Sequence, residues 1–142
     1  MSSVIHAIVY CTVALFALTS LGNIAHRALS RLIGQPATPP AEPGDAATTP
    51  PDPRNGRVIG TLERLVLAAA LVFQSWPLVA AVIALKSVAR FKALEQKVFA
   101  EYFLIGSFFS LLWALLITGA WLAYDARWGL DLQGQLAALF AP

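Results

Sequence analysis

Three long stretches without a lysine, arginine, aspartate or glutamate set the pattern of this chain. They are Val4 to Ala25, Leu65 to Leu85 and Tyr102 to Tyr124. At ~1.5 Å of rise per residue, each is long enough to cross a hydrocarbon layer of roughly 30 Å. Their charges gather at the ends. The pattern predicts an all-α integral membrane protein with three transmembrane helices, the last two forming an antiparallel hairpin. The expected divisions are an N-terminal transmembrane helix with a basic juxtamembrane turn (1–34), a Pro-rich disordered linker (35–55), a transmembrane helical hairpin with an interfacial turn (56–128) and a C-terminal surface tail (129–142).

The first run reads as a retained anchor, because no lysine or arginine precedes it and Asn23-Ile24-Ala25 makes a poor cleavage site. Thr12 and Thr19 are expected to bond back to their own helix. His6 lies close enough to the end to reach the interface. Cys11 reads as a small apolar filler. His26, Arg27 and Arg31 follow as a basic anchor at the headgroups.

The second helix is expected to run from Gly56 to Phe91 and to kink at Pro77, freeing the carbonyl of Phe73. Gly60, Glu63, Leu67, Ala70, Gln74 and Ala81 recur at helical steps on one small, polar face, which should turn toward other helices. Lys86 to Ala100 is expected to be a short interfacial helix. On the third helix, Gly106, Ser110, Ala114 and Thr118 stand four apart, a small-residue stripe that lets two backbones approach. Trp121, Tyr124 and Trp128 read as an aromatic belt, and the leucines of the tail as a weak amphipathic helix.

Composition strengthens the membrane reading. Hydrophobic residues are 58% and charged residues 13% of the chain, against roughly 45–50% and about 25% in a soluble domain. The net charge of +2 comes from 10 basic and 8 acidic residues. The basic ones sit at the ends of apolar runs, so no nucleic-acid partner is expected. The single cysteine excludes an intrachain disulfide and a cysteine metal cluster.

A three-span arrangement places Arg64 level with Asp125, and Lys86 and Arg90 level with Glu101, so ion pairs are expected at both ends. It also divides the cations between two sides. Arg27, Arg31, Arg54, Arg57, Arg64 and Arg127 face Lys86, Arg90, Lys92 and Lys97 across the bilayer. That small bias puts the linker in the cytoplasm and the N-terminus outside.

No catalytic constellation appears. There is no HExxH, no Gly-rich phosphate loop and no serine elbow. No catalytic, metal or cofactor-binding residue is expected, and no cofactor. Glu63 is the best candidate for a buried ionisable group, read first as a helix-start carboxylate. The expected function is non-enzymatic: helix-mediated assembly with itself or with a membrane-protein partner in the cell (inner) membrane, the lipid bilayer itself being the other partner. The alternative is an oligomeric channel, transporter component or pore-forming protein with Glu63 and Gln74 on a polar track.

GRVIGTLER, ALKSVARFKALE and AEYFLIGSFFSLLWAL together resemble the membrane region of an uncharacterised bacterial family, a domain of unknown function. The matching residues are Gly56, Ile59, Gly60, Leu62, Glu63, Arg64, Ala84, Lys86, Ser87, Arg90, Phe91, Ala100, Glu101, Tyr102, Leu104, Ile105 and Gly106. The resemblance covers roughly half the chain and brings no reaction. It implies that Glu63-Arg64, Lys86-Ser87, Arg90 and Glu101-Tyr102 form polar clusters at membrane boundaries that lock the hairpin or contact a partner or anionic lipid.

Overall fold

The computed structural model describes residues 2–34, 53–89, 91, 95 and 97–140. Among these, every regular element is helical. Helix α1 (Ser2–Phe16) passes through a π-helical turn (Ala17–Leu21) into α2 (Gly22–Leu32), giving one leg. It continues past Ala25, so His26, Arg27 and Arg31 occupy its last turns rather than a separate basic turn. Thr12 and Thr19 donate to Ile8 O and Leu15 O, each at 2.7 Å, as their apolar setting predicts.

The second predicted helix is not one helix. Helix α3 (Pro53–Val72) ends, and α4 (Trp76–Ala89) folds back beside it. The stop has a specific chemistry. Ser75 N–H donates to Ala70 O at 2.8 Å and Gln74 N–H donates to Leu71 O at 3.1 Å. Gln74 between them has φ 52°. That is a Schellman ending, with glutamine where glycine is usual. The Ser75 carbonyl then accepts from Leu78 and Val79 N–H at 3.1 and 3.2 Å, opening the next helix. Pro77 therefore lies in the first turn of α4, where its missing N–H costs nothing. It begins a helix and does not kink one. α3 also starts at Pro53, inside the stretch assigned to the linker, while the remainder of that linker lies outside the described residues.

Helix α5 (Lys97–Trp128) is the third long leg, and α6 (Leu132–Phe140) folds against it. The expected interfacial helix over 86–100 is divided instead. Lys86–Ala89 belong to α4, Lys97–Ala100 to α5, and Phe91 and Glu95 lie in turns between them.

Cross-leg bonds fix the directions. Tyr10 meets Asp125, Ala17 meets Trp113, and the space beside Gly106 is bounded by His26, so the first leg is antiparallel to α5. Asn23 bonds Thr61 and Arg64 while Leu18 packs with Leu67, so it is antiparallel to α3 as well. Lys86 reaches Glu63, so α4 runs against α3. The legs alternate up and down. The core between them is the layer of Leu18, Leu67 and Ala114, with Val79, Val82 and Leu111 against it.

Two helices are long and apolar enough to cross a membrane, Ser3–Leu32 and Ala100–Trp128. Only 17% of the most apolar window of each is buried inside the bundle, unlike the core helix of a soluble protein. The outer surface is apolar: Val9, Val13, Phe16, Phe108, Leu112 and Leu116 are each more than half exposed. Meanwhile Arg64, Ser110, Thr118 and Asp125 are buried. Water would drive the opposite distribution.

Candidate functional site

The fold gathers its polar side chains into two layers, one at each end of the apolar core. Tyr10 and Asn23 belong to different layers. They are 13 positions apart on the first leg, or about 20 Å at ~1.5 Å per residue.

The first layer is organised by Asp125, whose residue is 1% exposed. The Tyr10 hydroxyl donates to its Oδ1, and the backbone N–H of Gln133 donates to its Oδ2 at 3.3 Å. His6 Nε2 and the Tyr124 hydroxyl are 2.9 Å apart. The Tyr10 ring lies against His6, Trp121 and Tyr124, and Tyr124 against Trp128. Gln133 Nε2 donates to Val72 O at 3.2 Å, tying α6 to the end of α3. An added Cβ at Gly129 would lie 2.7 Å from the Asp125 carbonyl oxygen, so a side chain there would force the backbone around this carboxylate to move.

The second layer joins the first leg, α3, α4 and α5. Arg64, 2% exposed, donates through Nη2 to Asn23 Oδ1, and Asn23 Nδ2 donates to Thr61 Oγ1 at 3.2 Å. Arg64 Nε is buried without an acceptor. Lys86 Nζ pairs with Glu63 Oε2 at 2.5 Å and lies 5.6 Å from the centre of the Phe103 ring. His26 contacts Phe109, which stacks on Trp113, whose indole N–H donates to Ala17 O in the π-turn at 3.0 Å. Glu63, Lys86, Ser87, Phe103, Ser107 and Ser110 contribute to the lining of a cavity of about 110 Å³. The hydroxyls of Ser107 and Ser110 have no protein partner. The rest of the lining is apolar, from Leu67, Val82, Ile83, Leu104, Phe108 and Leu111.

These contacts correct the expected ion pairs. Arg64 and Asp125 lie in opposite layers, because α3 runs parallel to α5 once α4 takes the return path. Lys86 pairs with Glu63, not with Glu101. Glu101 is exposed and lies 4.0 Å from Lys97 on its own helix. Arg90 lies outside the described residues. Gly106, Ser110, Ala114 and Thr118 do share one face, with the last three buried inside the chain. Gly60 is half-buried with open space where a side chain would be, Tyr102 is half-buried, and the exposed Ser87 hydroxyl bonds to Ile83 O at 3.0 Å. Gln74 is exposed in the turn, so within one chain it shares no track with Glu63. The apolar layer of Leu18, Leu67 and Ala114 closes the interior between the two polar ends.

Sequence reasoning missed Tyr10, Asn23, Trp113 and Gln133 as partners. The available signal was a polar tip in an apolar run, which needs a mate somewhere. Among the described residues, no group of three or more histidines, cysteines, aspartates or glutamates is placed to hold a metal ion. A scan against protein-family models, a search of curated proteins and a search of solved structures each found no match.

Proposed function

We propose that this chain is a small, non-enzymatic, multi-pass protein of the cell (inner) membrane that works by helix-mediated assembly with a second copy of itself. The supporting observation is an apolar groove of about 320 Å³ between the first leg, α3 and α5. Cys11, Ala14, Ala68 and Ala69 are among its small lining residues, with Leu15 and Trp121 contributing bulk. Small residues let a neighbouring helix approach closely in lipid, where packing rather than the hydrophobic effect drives association. Ile8 and Leu15 flank Cys11 on the same helix and are each more than half exposed. Such a ridge beside a groove is self-complementary across a two-fold axis.

The small stripe of α5 is already engaged within the chain, so assembly uses this groove rather than that stripe. The bacterial resemblance, which brings no reaction, is compatible with the same reading.

Cys11 is the natural reporter. A short bis-maleimide applied to native membranes is expected to give a covalent dimer that disappears in Cys11→Ser. Free, fully reactive Cys11 with no dimer would contradict assembly through the groove.

A further inference from the structure

Because α3 and α4 return to the side they came from, the basic residues collect at one end. The first leg ends there with Arg27 and Arg31. α3 begins there with Arg54 and Arg57, α4 ends near Lys86, and α5 begins with Lys97. Arg90 and Lys92 lie in the sequence between α4 and α5. Among the described residues, Arg127 is the one cation at the opposite end, beside the ring of Trp128. There it accompanies the aromatic layer of Tyr10, Trp121, Tyr124 and Trp128.

The basic end has a definite corner. The Asn23–Thr61 bond sets the register between α2 and α3. One turn further out in this antiparallel pair, Arg27 comes level with Arg57, and Arg31 follows Arg27 on its own helix. All three are exposed, and no acidic side chain among the described residues pairs with any of them. Gly56 and Gly60 flank Arg57 with nothing within 4 Å of where a side chain would be, so the surface beside it is bare. Repulsion between like charges at one level is relieved by a shared anion. Arginine forks match phosphodiester oxygens.

We infer that Arg27, Arg31 and Arg57 form a docking surface for the phosphodiester headgroups of anionic phospholipids. This places the linker and the α4–α5 connection on the cytoplasmic side and both chain ends outside. The inference rests on the bilayer placement proposed above, and the test separates the two.

The full chain is reconstituted in vesicles of phosphatidylcholine, with or without phosphatidylglycerol. Lipid retention and thermal stability are also read in detergent with phosphatidylglycerol, phosphatidylcholine or inorganic phosphate added. Phosphatidylglycerol alone is expected to be retained and to raise the melting temperature. About 1 M salt, where screening acts beyond roughly 3 Å, should remove the effect. The R27Q/R57Q variant should bind phosphatidylglycerol roughly 25-fold more weakly, since each cation near an anionic surface is worth about fivefold. R127Q should bind like the parent. If R27Q/R57Q does not fold, the salt series on the parent decides, and salt-independent retention overturns the proposal. Equal retention of both lipids, or an equal effect of inorganic phosphate, also overturns it. A chain that enters neither vesicle would instead refute the bilayer placement.

Discussion

Asp125→Ala is expected to be among the most damaging single substitutions in the chain. It removes the acceptor of the Tyr10 hydroxyl and of the Gln133 N–H, both in a layer that excludes solvent from the carboxylate. Stranding a buried donor costs about 1–3 kcal/mol, and a bond to a charged group contributes about 1.5–3. A loss of roughly 3 kcal/mol is therefore expected in an unfolding titration of the detergent-solubilised protein. Asp125→Asn keeps an oxygen for Tyr10 and should lose about half as much. Since Asp125 acts largely through Tyr10, the Tyr10→Phe, Asp125→Ala double variant should be little worse than Asp125→Ala alone. The same layer separates the observed fold from a straight second helix. Combining Arg64→Asp with Asp125→Arg should give no rescue, because the two residues sit in opposite layers. Recovery in that reversed pair would restore the three-span arrangement.

The second large effect belongs to Gly22, where the first leg lies close against Trp113 and Arg64. A Cβ there would stand 2.9 Å from Trp113 Nε1, 3.0 Å from its Cδ1 and 3.1 Å from Arg64 Cζ. Alanine must therefore push the indole off Ala17 O or the guanidinium off Asn23. Overpacking of this kind costs about 1–3 kcal/mol. Because a hydrogen bond is lost as well, Gly22→Ala is expected near the upper end of that range. Trp113→Leu in the same chain should recover part of the loss by vacating the space, whereas at a tolerant surface glycine neither change would couple. A Gly22→Ala protein as stable as the parent would show that this contact is looser than the geometry requires.

The sequence makes the apolar runs and the small stripe of α5 legible for a simple reason. Residues four apart share a helical face whatever that face packs against. Gly106, Ser110, Ala114 and Thr118 can thus be grouped before any partner is known. The same spacing cannot say that the partners are the first leg and α3 of the same chain. The fold of α3 onto α4 was harder to read because its signal is polar but brief. Gln74-Ser75 is two residues in an apolar stretch, and glutamine is an unusual occupant of a left-handed helix cap. Ser75-Trp76-Pro77 does carry a helix-start signature, serine followed by proline in the first turn. A proline inside a long apolar run reads as readily as a kink. Once Pro77 is taken as a kink, Arg64 falls opposite Asp125 and the cations divide between two sides. Once it is taken as a beginning, Lys86 falls opposite Glu63 and the cations collect together. One backbone turn therefore determines the ion pairs, the layers and the charge asymmetry.

That turn is tested most directly by the sidedness of four introduced thiols in a Cys11→Ser background. Leu32→Cys and Glu95→Cys flank the linker and the α4–α5 connection, and Ser3→Cys and Leu139→Cys mark the two chain ends. With a membrane-impermeant maleimide on sealed vesicles, Leu32→Cys and Glu95→Cys are expected to label from one side, and Ser3→Cys and Leu139→Cys from the other. Labelling of Leu32→Cys and Glu95→Cys from opposite sides would mean that the second helix crosses straight through and that the fold described for α3 and α4 is wrong.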